Sequence, residues 1–352
     1  MIKKPNIAVV GASGAVGETM LSILAEQGYR EDHVTALASE RSEGEDVEFG
    51  NTHLTIEKLS NFDFSSVDYA LFSAGGSVSK EYAPQAVEAG AIVIDNTSAF
   101  RYDDEVPLVV PEVNAHVLDG LSGACIIANP NCSTIQMIVA LAPVYRAAGI
   151  SRINVATYQS VSGAGRGGLK ELAMQTAQRL NFKNPEPSAF AQTIAFNVLP
   201  QIDEMLDNGY SREEMKMLWE TQKILEDPAV LVNATAVRVP VFYGHAEAVH
   251  FETRDDISIE EVRKLLEEAE GVELLEGVDM IHPTPVTHAA GKDPVYVGRL
   301  RRDLSHPRGI DMWVVADNIR KGAALNAIQI MDVLEKNRIL GGNMDAANVK
   351  SA

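Results

Sequence analysis

Cysteine is almost missing from this chain: Cys125 and Cys132 are the only two among 352 residues. Two thiols cannot build the disulfide framework that holds small secreted folds together, so a reducing cytoplasm is the expected setting. Positive charge is scarce as well. The 30 Lys and Arg are outnumbered by 49 Asp and Glu, and a net charge of −19 is repelled by nucleic acid and by anionic membrane surfaces, which excludes both as main partners. No apolar run reaches the roughly 18 residues that cross a bilayer. MIKKPNIAVVGASG passes straight into a strand and turn with no small-residue cleavage site, so a soluble, unprocessed chain is expected. Metal-ligand spacing is absent too, because the histidines are scattered and neither H-x-x-x-H nor C-x-x-C occurs, so no metal centre is expected.

What is present divides into two textures. The opening PNIAVVGASGAVGETMLSILAEQGY is a β-branched apolar run, a set of glycines, and then Met20, Leu21 and Leu24 at helical spacing. Short apolar runs follow in VTALAS, YALFSAG and AIVIDN, with helical SKEYAPQAVEAG between the later ones; strands alternating with helices predict a doubly wound parallel sheet. From about Ser151 the strands lengthen and alternate, in RINVATYQSVSGAG, ATAVRVPVFYGHAEAVHFETRDD, DPVYVGRLRRD and GIDMWVVADN. Joined by hairpin-like turns and by helical SREEMKMLWETQKIL and SIEEVRKLLEEAEG, they predict an α+β unit with a mostly antiparallel sheet. The helix in NIRKGAALNAIQIMDVLEKN is expected to return to the first unit, and GGNMDAANVKSA to be a frayed tail.

Gly11, Gly14 and Gly17 follow the first strand and open the first helix. A turn without Cβ atoms lets backbone N–H groups approach a phosphate at the positive end of that helix. The spacing is GxxGxxG rather than GxGxxG, and the competing reading is a tight turn without ligand; its place between strand and helix favours a dinucleotide. The second strand ends in ASERSEGE, where Arg41 and Ser42 suit the 2′-phosphate of NADP and Glu40 suits a ribose hydroxyl, so NADP is the expected cofactor. SAGGSVS, residues 73 to 79, supplies Ser73 and Gly75 for close passage of the cofactor.

The segment NPNCST carries the chemistry. Pro130 blocks a helix upstream, Asn131 is a candidate cap, and Cys132 falls in the first turn of the helix that follows. A helix N-terminus favours thiolate over thiol, and its free N–H groups suit an oxyanion. Cys125, in SGACIIAN, reads as a small buried apolar residue. A nucleophile needs a base, and His245 stands out because Pro240 and Gly244 turn the chain in RVPVFYGH, so Arg238 and His245 flank one loop.

The ordered motifs GASGAVG, NPNCST, YQSVSGAG, WETQKIL and RVPVFYGHAEAV resemble those of the aspartate-β-semialdehyde dehydrogenases of the bacterial type, across nearly the whole chain. That resemblance implies a homodimer that converts L-aspartyl-4-phosphate to L-aspartate-4-semialdehyde and phosphate with NADPH, within biosynthesis of lysine (through diaminopimelate), threonine, methionine and isoleucine. It implies a Rossmann-like NADP-binding domain over 1–130 completed by a C-terminal helix at 318–340, a catalytic and dimerisation domain over 131–317, and a tail at 341–352. It makes Cys132 the acyl-thioester nucleophile, His245 the acid/base, and Gln159 the residue that orients the intermediate and contacts substrate. Arg238 would grip the α-carboxylate, Glu220 the amino group, and Arg101 with Lys223 the phosphate. Thr97 and Ser98 stand where the family more often has two serines. Ser13, Ala15, Val16, Ser162, Gly163 and Asn318 join the expected cofactor contacts.

The residue chemistry agrees with these assignments. Glu220 and Lys223 are three apart in a helical pattern and share a face, which suits a zwitterionic ligand; the plain alternative is a surface ion pair. A guanidinium matches a carboxylate because its planar fork bonds both oxygens. Two rival readings are an N-acetyl-γ-glutamyl-phosphate reductase, whose substrate has no ammonium for Glu220 to meet, and a silent NADP-binding relative.

Overall fold

The computed structural model describes residues 4–121, 123–276 and 282–349, with side chains described to residue 338. The chain forms two compact units, one running to Pro130 and resuming at Ala324, the other Asn131–Ala323.

In chain order the first unit holds β1 (Ile7–Val10), α1 (Ala15–Glu26), β2 (Val34–Ala38), β3 (Asp46–Phe49), β4 (Thr52–Thr55), β5 (Glu57–Lys58), β6 (Tyr69–Phe72), α2 (Gly76–Glu88), β7 (Ile92–Asp95), α3 (Pro111–Asn114) and β8 (Ile126–Ala128). The second holds α4 (Cys132–Ala148), β9 (Ile150–Gln159), α5 (Gly165–Leu180), α6 (Arg212–Ile224), β10 (Leu231–Arg238), β11 (His245–Thr253), α7 (Ile259–Glu267), β12 (Val272–Leu274), β13 (Val295–Arg302) and β14 (Gly309–Ala316). The last helix, α8 (Leu325–Val349), belongs to the first unit.

The first sheet is parallel, in the order β5-β2-β1-β6-β7-β8. Its strands are continuous apolar runs because both faces are covered. Ile7, Val9, Leu71 and Ile94 share one core with Met20, Leu24, Ile328 and Met331, while Ala8, Val10, Phe72 and Val93 share another with Ala83 and Ala86 of α2. Asn326 of α8 is buried and donates to Asn129 Oδ1 at 2.6 Å and to Val109 O at 3.0 Å, a polar contact that fixes the returning helix within this unit.

Two expectations need correction here. The C-terminal helix begins at Leu325 after a π-helical turn at Arg320–Ala324, and it continues to Val349 through the segment expected as a frayed tail. The part of that tail from 350 to 352 lies outside the described residues.

The second sheet runs β10-β9-β11-β14-β13-β12, antiparallel at its centre and parallel at both margins. Only β13 and β14 form the expected hairpin. Strands β10 and β11, adjacent in sequence, lie on opposite sides of β9, because the six-residue link between them crosses the end of that strand: Val239 N–H donates to Gln159 O and Val161 N–H to Val241 O, both at 2.9 Å. Among the described residues, no helix of either unit is long and apolar enough to cross a membrane.

The glycines of the first turn are required by close approach. A Cβ on Gly17 would lie 2.2 Å from Gly11 O, inside van der Waals contact with backbone that cannot move. Gly17→Ala is therefore expected to lower stability by about 2–3 kcal/mol, the range for overpacking a tight site, read as a lower denaturation midpoint by circular dichroism.

Candidate active site

Asn131 has extended geometry, φ −64° and ψ 144°, and its Oδ1 accepts from the amides of Ser133 at 3.0 Å and Thr134 at 3.3 Å. It is the cap of α4, and Cys132 is the first helical residue, as the sequence order suggests. Two buried carboxylates of α6 hold the cap. Glu220 accepts the Asn131 backbone N–H at 2.6 Å, and Glu213 accepts from Asn131 Nδ2 at 3.0 Å. Seven residues apart, they share one helix face. Gly322 closes the other side, since a Cβ there would fall 2.8 Å from Cys132 Cβ.

The sheet order brings the remaining groups together. Arg238 pairs with Gln159 in register, and Ala246 with Tyr158, so Arg238, Gln159 and His245 end β10, β9 and β11 in one row on one face. All three are buried. Arg238 Nη1 donates to Ser160 O at 2.7 Å. Burial lowers the Arg238 pKa, and the charges of Glu213 and Cys132 act against that, which puts the thiol within electrostatic reach of the guanidinium. A Cβ on Gly163 would meet Arg238 Nη1 at 2.9 Å and His245 Nε2 at 3.4 Å, so both groups point at this glycine.

His245 Nδ1 accepts the Ser160 amide at 3.1 Å and lies 3.0 Å from Ser160 Oγ. An amide can only donate, so the ring hydrogen sits on Nε2, and Nε2 is buried with no hydrogen-bond partner. Burial, aided by Arg238 and opposed by Glu213, pushes the His245 pKa down to about 3, keeping the ring neutral. Asn318 braces this loop cluster: its Oδ1 accepts from Ser160 Oγ and Ser162 Oγ at 3.1 Å each and from Gly244 N–H at 3.0 Å.

Glu213 is the member that the sequence reading missed. Burial opposes its charge, but the adjacent Lys216 and hydrogen bonds from Lys216, Asn131 and Gln159 prevail and hold its pKa at about 2. Gln159 Nε2 donates to it at 3.1 Å. Its helical spacing from Glu220 was the available signal. Lys223 follows Glu220 by three positions on α6 and is half-buried.

In the first unit, Gly11, Ser13, Gly14, Ser39, Ser73 and Lys58 help line a cavity of about 570 Å³. Gly14 caps α1 without a side-chain acceptor, leaving the amides of Ala15 and Val16 without a capping side chain at the positive helix end, although Glu18 lies in the same turn. That arrangement suits the phosphates of a dinucleotide. Arg41 and Ser42 lie beside the cavity in a 3-10 turn and do not line it. Lys58 does, paired to Glu40 at 3.0 Å; it reaches the end of β2 through the two-residue strand β5, which has no composition signal. Gly75 caps α2. Arg101 is buried and donates to Asn96 O at 2.8 Å, while Thr97 bonds the Asp95 carboxylate through its amide at 3.0 Å and its hydroxyl at 2.8 Å.

Comparison with known proteins matches both units. Residues 6–121 fit the model of the semialdehyde dehydrogenase NAD binding domain and residues 141–321 that of the semialdehyde dehydrogenase dimerisation domain. The chain is 58% identical over 337 residues to aspartate-semialdehyde dehydrogenase 2 of Vibrio cholerae, covering 96% of this chain and 99% of that protein. It is 50% identical over 340 residues to aspartate-semialdehyde dehydrogenase of Bacillus subtilis, covering 94% and 97%. A crystal structure of aspartate semialdehyde dehydrogenase II from Vibrio cholerae, complexed with ASA, matches with a TM-score of 0.92 at 57% identity, over 95% of this chain and 99% of that one. With its dinucleotide-type fold and its capped cysteine, this chain belongs to the aspartate-semialdehyde dehydrogenase family.

Proposed function

We propose that this enzyme reductively dephosphorylates L-aspartyl-4-phosphate to L-aspartate-4-semialdehyde, reversibly and with NADPH, through a thioester on Cys132. The convergence of Arg238 and His245 on Gly163, with the Cys132 charge felt by Arg238, is the observation that carries the reading. The Cys132 thiolate attacks the acyl carbon, and the bond to the phosphate oxygen breaks to leave the thioester. NADPH, which Gly11, Ser13 and Gly14 would help hold, would supply the hydride for the acyl carbon. His245 Nε2–H stabilises the resulting thiohemiacetal oxygen, and cleavage of the carbon–sulfur bond then returns the thiolate and releases the aldehyde. For His245 to take up a second proton, Nδ1 must exchange the Ser160 amide for the Ser160 hydroxyl, an acceptor 3.0 Å away. Gln159, braced by Glu213, orients the intermediate and contacts the substrate.

Substrate charges are met one by one. Arg238 takes the α-carboxylate, Glu220 the ammonium, and Arg101 with Lys223 the phosphate, as the family resemblance assigns them. NADP is favoured over NAD by Lys58 at the end of β2, with Arg41 and Ser42 beside it. Ser13, Ser162, Gly163 and Asn318 complete the cofactor contacts. A second copy of the chain fits the outer face of the second sheet, where Tyr158 is 38% exposed beside Trp313 in a unit that matches a dimerisation domain, and the homodimer is expected in the cytoplasm.

The assay is phosphate-dependent reduction of NADP with L-aspartate-4-semialdehyde, repeated with NAD and with N-acetyl-glutamate semialdehyde. Cys132→Ala is expected to lose roughly a thousandfold or more in turnover while still binding NADPH; full turnover in that variant overturns the thioester. Lys58→Ala is expected to weaken NADPH by roughly tenfold or more, the scale of one charge-assisted hydrogen bond, and to leave NADH unchanged in a fluorescence titration.

A pH experiment isolates His245. Its folded pKa lies below the ordinary 6.5, so as pH falls from 6.5 toward 3 the unfolded state takes up a proton that the folded state refuses, and stability drops. Glu213, lowered from 4.5 to about 2, adds its loss only below 4.5. The stability difference between wild type and His245→Asn is therefore expected to change between pH 6.5 and 4.5, with the wild type losing more on acidification. Parallel denaturation midpoints across that window would show an ordinary histidine.

A further inference from the structure

Glu247 is a buried carboxyl that the proposed reaction leaves unused. It follows His245 by two positions on β11, so it shares that face of the sheet one row deeper, opposite Thr157 of β9 and Val314 of β14. Its exposure is 0%, and neither carboxyl oxygen has a hydrogen-bond partner. Ser133 Oγ and both polar atoms of the Gln136 amide, on the first turns of α4, are buried and unpartnered as well. Gln136 and Ser133 are the side chains that act on the Glu247 carboxyl, and no charged group does.

These five buried polar atoms, each short of a partner, can satisfy one another. A carboxylic acid and a primary amide are complementary, since the acid O–H donates to Gln136 Oε1 while Gln136 Nε2 donates back to the acid carbonyl, and the Ser133 hydroxyl fills the remaining acceptor site. A carboxylate has no hydrogen for Gln136 Oε1. Burial favours the acid in the same direction, pushing the carboxyl well above the usual carboxylate range against the smaller pull of Gln136 and Ser133.

We propose that Glu247 is a positioning residue for Cys132, a carboxylic acid that clasps Gln136 and Ser133 and so ties the start of α4 to β11, one row below Arg238, Gln159 and His245. The inference rests on the reading of Cys132 as nucleophile, because that role gives the fixed helix end its value. A thiol moved by a fraction of an ångström from its aligned position loses attack rate while substrate binding survives.

The test measures kcat, KM and the pH dependence of iodoacetamide alkylation at Cys132, followed by peptide mass, in the full-length enzyme. Glu247→Leu is expected to lose about tenfold or more in kcat with KM within about twofold, and Glu247→Gln, whose amide repeats the contacts, to recover most of kcat. The alkylation midpoint in Glu247→Gln is expected to equal that of the wild type, because no charge is removed. A midpoint lowered by about a pH unit reveals a carboxylate and overturns the proposal, as does wild-type kcat in Glu247→Leu. Should Glu247→Leu fail to fold by circular dichroism, Gln136→Leu probes the clasp from the helix, with the same expected kcat loss and the same overturning result. Cys132→Ala runs beside them: turnover in that variant removes the nucleophile, whereas the clasp is read separately through the alkylation rate in Glu247→Leu.

Discussion

The cap at Asn131 is the constraint on which the site depends. Its side-chain oxygen satisfies two orphan amides of α4, its own N–H goes to Glu220, and its side-chain nitrogen goes to Glu213. One residue therefore fixes the helix end and docks it on two buried carboxylates of α6. A cap of this kind contributes about 1 kcal/mol through the helix alone. Its larger effect is on geometry, because Cys132 follows immediately and inherits whatever direction Asn131 sets. Any change at this residue also strips buried acids of donors, so thiol position and local stability are coupled.

The charges around the cysteine come from several buried groups, the Glu220 carboxylate on the Asn131 amide among them. Glu213 is ionised, but Lys216 neutralises it at 2.9 Å. His245 contributes no charge, and the open amides at the start of α4 add a partial positive one. Arg238 is a buried cation whose charge interacts with both Glu213 and Cys132, in surroundings where its field is weakly screened. The same buried cation helps keep the imidazole neutral, so one arginine serves both the thiolate and the proton position on the ring.

Much of this was legible in the sequence, for reasons that differ by element. Alternation and apolar runs are local, so the strands and helices of both units emerge from periodicity. The capped cysteine is also local, spelled out in NPNCST. Strand order is not local: Val237-Arg238-Val239-Pro240 leading to Gly244-His245 reads as a hairpin, and only the interposition of β9 shows why Gln159 lies between Arg238 and His245. Glu213 went unseen because a glutamate in the first turn of a helix looks like an ordinary N-terminal acid; its bonds to Asn131 and Gln159 come from distant segments. Lys58 was hidden for a similar reason, since a two-residue strand has no pattern, whereas Arg41 was conspicuous and lies beside the cavity. The helix continues past residue 340 into the segment that its place at the chain end marked as frayed.

The rows of the second sheet explain why its acids exist in different states. At the strand ends, Arg238, Gln159 and His245 form a row whose charged and polar atoms find partners on α6 and in the loops. Two residues deeper the row is Ala236, Thr157, Glu247 and Val314, and two deeper again it is Ala234, Val155, Val249 and Met312, wholly apolar. No cation reaches the middle row, so an acid placed there has burial as its dominant influence and keeps its proton. An acid near the first row meets Lys216 and loses it. Two carboxyls, one on α6 and one on β11, thus take opposite protonation states from their surroundings, and their difference keeps negative charge away from the face of α4 that meets the sheet.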